Sequence, residues 1–326
     1  MNGTPQRVEI FAPFGAALEL MQKILFRPFD VKKWFVIGFA AFLSHLAGGG
    51  ANFGGNWGRH MPTDWKTSVH SATSDMSDSV HHFPLWVIPV GIIAALIILA
   101  IVAVFLWLGS RGKFIFTDCI VRNRGAIEEP WREYRREGNS LFLFSIVIAL
   151  IFLAVILVFG SIVFLPAILQ GDNFTAGVSF IIGGISFVLL ILIMVFAWAL
   201  ISQFMVPIMY RRRCTASEAF RTTLSLITAR FGLFVLYFLF VIVLGLATAM
   251  IACIATCITC CITAIPYVGT VILLPLYVTL AAYPLLFVRQ FGTDFDVWAA
   301  VTPPVTSEPP IQPPPTIPPE PPPLPA

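Results

Sequence analysis

The chain has 326 residues, 58% hydrophobic and 11% charged, with a formal net charge of +3. Soluble domains carry roughly a quarter charged residues, so a water-soluble globule of this composition is excluded and the apolar excess must face lipid or other helices. The small positive balance speaks for orientation in a membrane and contact with anionic headgroups, not for nucleic acid.

Residues 1–33 form a basic N-terminal segment carrying Arg7, Lys23, Arg27, Lys32 and Lys33. Phe14, Leu18, Met21 and Leu25 recur at helical steps, which predicts a short amphipathic helix lying in the headgroup layer. No cleavable signal peptide is expected, because the first apolar stretch begins only at Trp34. A span covering 34–53 follows. It is the weakest of the set, since it contains His45 and runs into Gly48, Gly49 and Gly50.

The segment 54–84 is read as the one sizeable outer loop. It holds His60, His70, His81 and His82 with Asp64, Asp75 and Asp78. These groups are scattered without a recurring ligand spacing, so no metal site is assigned.

A second span, 85–109, leads into Ser110, Arg111, Gly112, Lys113 and Asp118. Arg111 and Asp118 are seven residues apart and share a helix face. With Gln203 they make a candidate polar cluster for a headgroup or solute. Snorkelling basic side chains with a structural ion pair are the plainer reading of the same residues.

The connector 110–140 contains a second amphipathic pattern at Ile127, Trp131 and Tyr134, with Pro130 placed in the first turn. Val121–Arg132 aligns without gaps on Tyr210–Arg221 at an offset of 89 residues, pairing Arg122 with Arg211 and Trp131 with Phe220. Spans at 141–168 and 176–206 separate the two copies. In the second copy Thr215 and Glu218 form a capping-box pattern ahead of Phe220, Leu224, Ile227 and Phe231. Each copy is an elbow helix followed by a transmembrane hairpin.

The fifth span covers 231–259 and the sixth 267–288, divided by a turn at Ala264–Tyr267. Cys253, Cys257, Cys260 and Cys261 could ligate zinc or an iron–sulfur cluster, but they lack paired C-x2-C knuckles. Gly245, Ala249, Cys253, Cys257 and Cys261 place a small residue at every fourth position, so close helix packing is the preferred reading. Pro207, Pro275 and Pro284 predict kinks or breaks. Residues 290–326 form a tail with 13 prolines in 303–325, suited to polyproline II and to docking in an aromatic groove or to a stiff solvated extension.

With six spans, 18 of the 20 basic residues fall on one side and only Arg59 and Lys66 on the other. That places both termini in the cytoplasm. The fold expected is all-α: a polytopic transmembrane bundle of six spans, arranged as three parallel hairpins with interfacial elbow helices. Residues 34–289 are its membrane domain.

Two stretches resemble a known family. One is Leu25–Phe29 with Trp34, Gly38 and Phe39. The other runs from Ser110 through Asp118, Asn123, Arg124, Pro130, Trp131, Tyr134 and Arg135 to Gly138–Phe144. They resemble an uncharacterised prokaryotic six-span membrane protein family, itself loosely similar to the membrane domain of glycerophosphodiester phosphodiesterases. The resemblance implies a prokaryotic plasma-membrane location and brings no activity.

No nucleotide-binding glycine loop, serine nucleophile elbow or HExxH motif occurs, and the spans contain no buried carboxylate for ion coupling. No catalytic residue and no cofactor is assigned. The first reading is a non-enzymatic scaffold that touches membrane lipids and takes a protein partner through its elbows or its tail. The second is a transporter or lipid-handling protein with a cavity near the cytoplasmic ends of spans two and four.

Overall fold

A computed structural model describes residues 9–46, 87–169, 173–259 and 265–300. All regular structure among them is helical: α1 Phe11–Leu25, α2 Val31–Leu46, α3 Val87–Val121, α4 Glu128–Glu133, α5 Arg135–Leu169, α6 Asn173–Arg212, α7 Ala216–Ala229, α8 Phe231–Ile258, α9 Pro266–Ile272 and α10 Leu274–Arg289. Two short 3-10 turns, Thr293–Phe295 and Trp298–Ala300, close the described chain. The outer-loop histidines, Cys260, Cys261 and the proline tail lie outside these residues.

Four helices are long and apolar enough to cross a membrane: Pro89–Val121, Arg135–Val163, Ile182–Arg212 and Phe231–Ile258. A hydrocarbon core leaves no water for backbone groups, which favours such uninterrupted helices. At 1.5 Å per residue, the 35 residues of α3 reach about 52 Å, well beyond the ~30 Å hydrocarbon core. Its basic end therefore extends past the apolar layer as one continuous helix.

The segment expected as a sixth span is two helices, α9 and α10, broken at Leu273. Pro275 has no N–H to offer the carbonyl of Val271. The Trp34 indole takes that acceptor instead, donating to Val271 O at 3.0 Å. Proline and tryptophan together join α2 to the α9–α10 break. Where Gly38 faces Val271, an added Cβ would lie 2.8 Å from its Cγ2.

The interior lies at the basic ends of the long helices. Phe114, Phe204, Phe234, Tyr237, Tyr283 and Phe287 are its largest fully buried side chains. α2 packs along α3 where Gly112 abuts the chain of Leu43 and Ser44; a Cβ there would sit 2.6 Å from the Leu43 carbonyl carbon. α1 packs against α10, and α5 pairs with α6.

The expected elbow helices exist as α1, α4 and α7, and Pro130 stands in the first turn of α4. Their buried faces differ from the expected stripes. α1 buries Pro13, Ala17, Ile24 and Leu25 and leaves Leu18 exposed, because alanine permits closer approach to α10. α7 buries Ala216, Ala219 and Thr223 and turns Leu224 outward, and Phe231, the last residue of the expected stripe, is exposed at the start of α8.

The capping box at Thr215 is not formed. Thr215 makes no cap bond, and Ser140 Oγ at the start of α5 accepts the Ala216 N–H at 2.9 Å. The neighbouring helix supplies the acceptor that the local sequence offered. The internal repeat is also shifted by one. α3 and α6 both end on a left-handed residue, Asn123 (φ 51°) and Arg213 (φ 53°), 90 positions apart rather than 89. Arg124 N–H bonds Cys119 O and Arg213 N–H bonds Met209 O, the bonding of left-handed helix caps.

Candidate functional site

α3 carries three ionisable groups in eight residues, and the fold sends each to a different place. Successive residues rotate by about 100° around a helix, so Arg111 and Lys113 face opposite directions. Asp118 lies about 10 Å along the axis from Arg111, too far for contact although the two share a face.

Asp118 is fully buried. Tyr210 donates its hydroxyl to Oδ1 at 2.9 Å, and Arg122 Nε approaches the same oxygen at 3.1 Å. Arg124 donates Nη2 and Nε to Oδ2 at 3.1 and 3.2 Å. Arg122 continues to Glu133 at 3.0 Å, and Arg124 to Glu129. Arg213 pairs with Glu133 and covers the Tyr134 ring at 3.9 Å. That ring stacks between Phe114 and Tyr210, with centroids 5.9 and 4.8 Å away. Burial opposes the charge on Arg122, yet Asp118, Tyr210 and Glu133 outweigh it and hold the guanidinium above its ordinary pKa. Both Asp118 oxygens are occupied, so this knot ties the end of α3 to α6 and leaves no vacancy for a ligand.

Arg111 is also buried. Its guanidinium sits between the Trp107 and Trp131 rings, 4.4 and 5.0 Å from their centroids. Nη2 donates to Asn139 Oδ1 at 2.9 Å, and the Trp107 indole shares that oxygen at 3.1 Å. Two indole faces and one amide oxygen stabilise the cation. Gly138 makes room, since a Cβ there would meet Arg111 Cγ at 2.9 Å.

Lys113 faces a cavity of about 290 Å³ between α2, α3, α6 and α10. Ser44, His45, Thr117, Ser202, Gln203 and Tyr277 supply its polar lining. Phe116, Val206, Leu280 and Leu285 are among the apolar walls. Pro207 and Pro284 also line it, one inside each facing helix. Each proline withholds an N–H from the carbonyl four residues back, at Gln203 and Leu280, and loosens the helix there. The His45 Nδ1–H donates to Ala41 O at 2.7 Å, because a carbonyl can only accept. Its ring lies 4.5 Å from that of Tyr277. Lys113 is eight residues from the end of α3, so the cavity lies about 12 Å in from the basic end.

Of the three residues proposed from sequence, only Gln203 lines this cavity; Arg111 and Asp118 are committed elsewhere. Lys113 and His45 line it as well, though neither belongs to the polar cluster expected from sequence. Their signal was position: ionisable groups inside apolar helices. Gly245, Ala249, Cys253 and Cys257 are all exposed, and nothing lies within 4 Å of a Cβ added at Gly245. This stripe packs on no other helix among the described residues. Among the described residues no three His, Cys, Asp or Glu side chains gather for a metal, and Cys260 and Cys261 lie outside them.

The class these features define is an all-helical protein with several membrane-capable helices, closed by ionic and aromatic contacts at one end. The chain belongs to a family of unknown function (DUF7544), which matches residues 9–306. No curated protein and no solved structure matches it.

Proposed function

We propose that this chain is a non-enzymatic, multi-pass plasma-membrane protein that binds an amphiphile in the cavity between α2, α3, α6 and α10. Six spans in three parallel hairpins, with the basic ends and both termini in the cytoplasm, complete this reading. The distribution of Lys and Arg supports the orientation. The observation that carries the function is the cavity itself. It is lined by amide, hydroxyl, imidazole and ammonium groups about 12 Å in from the basic end of α3, inside a helix long and apolar enough to cross a membrane. Polar groups at such depth mark ligand or solute pathways. The resemblance to a phosphodiesterase membrane domain brings no activity to this reading.

Native mass spectrometry of the purified full chain tests the reading. Retained amphiphile should disappear in Ala281→Trp, which fills the cavity. Undiminished retention in that variant, eluting as a folded species, would defeat it.

A scaffold role is the second reading. It is favoured by the far half of α8, where Gly245, Leu246, Met250, Cys253, Ile254 and Cys257 are exposed. Small residues at fourth positions suit close association with another helix. Cysteine crosslinking at Cys253 in native membranes should then trap a second polypeptide; a monomer alone would count against it.

A further inference from the structure

Among the described residues, Lys113 is the one strong cation lining this cavity, and no carboxylate lines it. The arginines nearby are matched: buried Arg111 by two indoles and Asn139, and half-buried Arg122 and Arg124 by Asp118. Among the described residues, Lys113 Nζ has no hydrogen-bond or ion-pair partner. An ammonium enclosed between packed helices without a counter-charge is costly, and such groups persist where they meet a partner.

Donors and acceptors in the cavity point the same way. Thr117 Oγ1 donates to Lys113 O, Ser44 Oγ to Ala41 O and Ser202 Oγ to Ala199 O. These three hydroxyls have committed their protons to their own helices and offer lone pairs only. Free N–H donors therefore come from the Lys113 ammonium and the Gln203 amide, one on α3 and one on α6. Two donors on facing helices suit an anion between them. The three hydroxyl acceptors suit a ligand that also bears hydroxyls. The volume of about 290 Å³ is at the small end for ligand sites, which run from ~300 to 1,000 Å³, so it takes a headgroup and not a whole lipid.

Resting on the amphiphile-binding reading above, we infer that the ligand is anionic, a phosphate ester or carboxylate headgroup held by Lys113 Nζ and the Gln203 amide. Its acyl part would lie against the apolar walls formed by Phe116, Val206 and Leu285.

The test is equilibrium binding to the full chain in neutral maltoside micelles, read by native mass spectrometry. Three probes are used: dioctanoyl phosphatidylglycerol, dioctanoylglycerol and sodium phosphate. The wild type is expected to prefer the phospholipid over the uncharged diacylglycerol by at least tenfold. Lys113→Ala should reduce that preference to within twofold, Lys113→Arg should keep it, and Gln203→Leu should weaken it. Competition by sodium phosphate at equal concentration would identify a free anion as the ligand, and its failure to compete a lipid headgroup; either supports the anionic assignment. Equal binding of charged and uncharged probes, or an unchanged preference in folded Lys113→Ala, would overturn it. Ala281→Trp separates the two levels. If it removes binding of both lipids while charge has no effect, the cavity stands and the anion falls. If it changes neither, the cavity reading falls first.

Discussion

The two ends of the long helices are built on different principles. Toward the basic end, α3, α6 and α10 bury Phe114, Phe204, Tyr283 and Phe287 completely and surround Asp118 with two arginines and a tyrosine. Toward the far end, Leu99, Leu153, Leu192 and Leu246 are each about half exposed or more. Such faces suit lipid, which is as apolar as leucine and exerts no hydrophobic force to close the bundle. Specific stabilisation is thus concentrated at one end, and the apolar half needs only to remain helical and oily.

That contrast can be broken by substitution. Asp118→Ala should have the largest effect, about 3–5 kcal/mol, because it strands Arg122, Arg124 and the Tyr210 hydroxyl. Thermal unfolding in detergent should show a large fall, whereas Leu153→Ala at the lipid face should leave the midpoint nearly unchanged. Equal losses from the two would erase the distinction. Next comes Gly112→Ala, whose new methyl would press on the Leu43 backbone. Overpacking of this kind costs about 1–3 kcal/mol. Gly245→Ala, with open space around it, is the matched control and should be neutral or better.

Trp34→Phe keeps most of the ring but removes the bond to Val271 O. A loss of about 1 kcal/mol is expected, along with faster amide exchange around Leu273. Ser140→Ala removes the acceptor for Ala216 N–H, and helix caps are worth about 0.5–2 kcal/mol. Its effect should appear as fraying of the first turn of α7, while Thr215→Ala should do less.

The smallest effect is chemical. Burial pushes the Cys214 thiol pKa upward, with Glu218 adding to the shift. A thiol with a raised pKa carries less thiolate at pH 8 than an ordinary cysteine. Alkylation of Cys214 should therefore lag behind that of a model peptide and gain as the pH passes 9. A rate matching the peptide at pH 8 would show the site to be more open than the geometry makes it.

Much of the helical layout was legible in advance. The long apolar runs place α3, α5, α6 and α8, and the amphipathic patterns place α1, α4 and α7, because composition and period respond to lipid and water directly. The site was legible only in part. Gln203 was selected and does line the cavity, while Arg111 and Asp118 were selected with it on face-sharing alone. Face-sharing fixes an angle and says nothing of the 10 Å or so between two residues seven apart along the axis. Nor does it say that Trp107, Trp131 and Asn139 would surround one charge and Tyr210 would reach the other.

The amino-acid sequence alone settles that this chain is helical, which stretches can lie in lipid, and where its charges collect, since these depend on local composition. Tertiary structure decides which cation is paired and which is left facing a cavity. Arg111 and Lys113 stand two residues apart in the same helix, and only the helices packed on either side give one an amide and two indoles and the other open space.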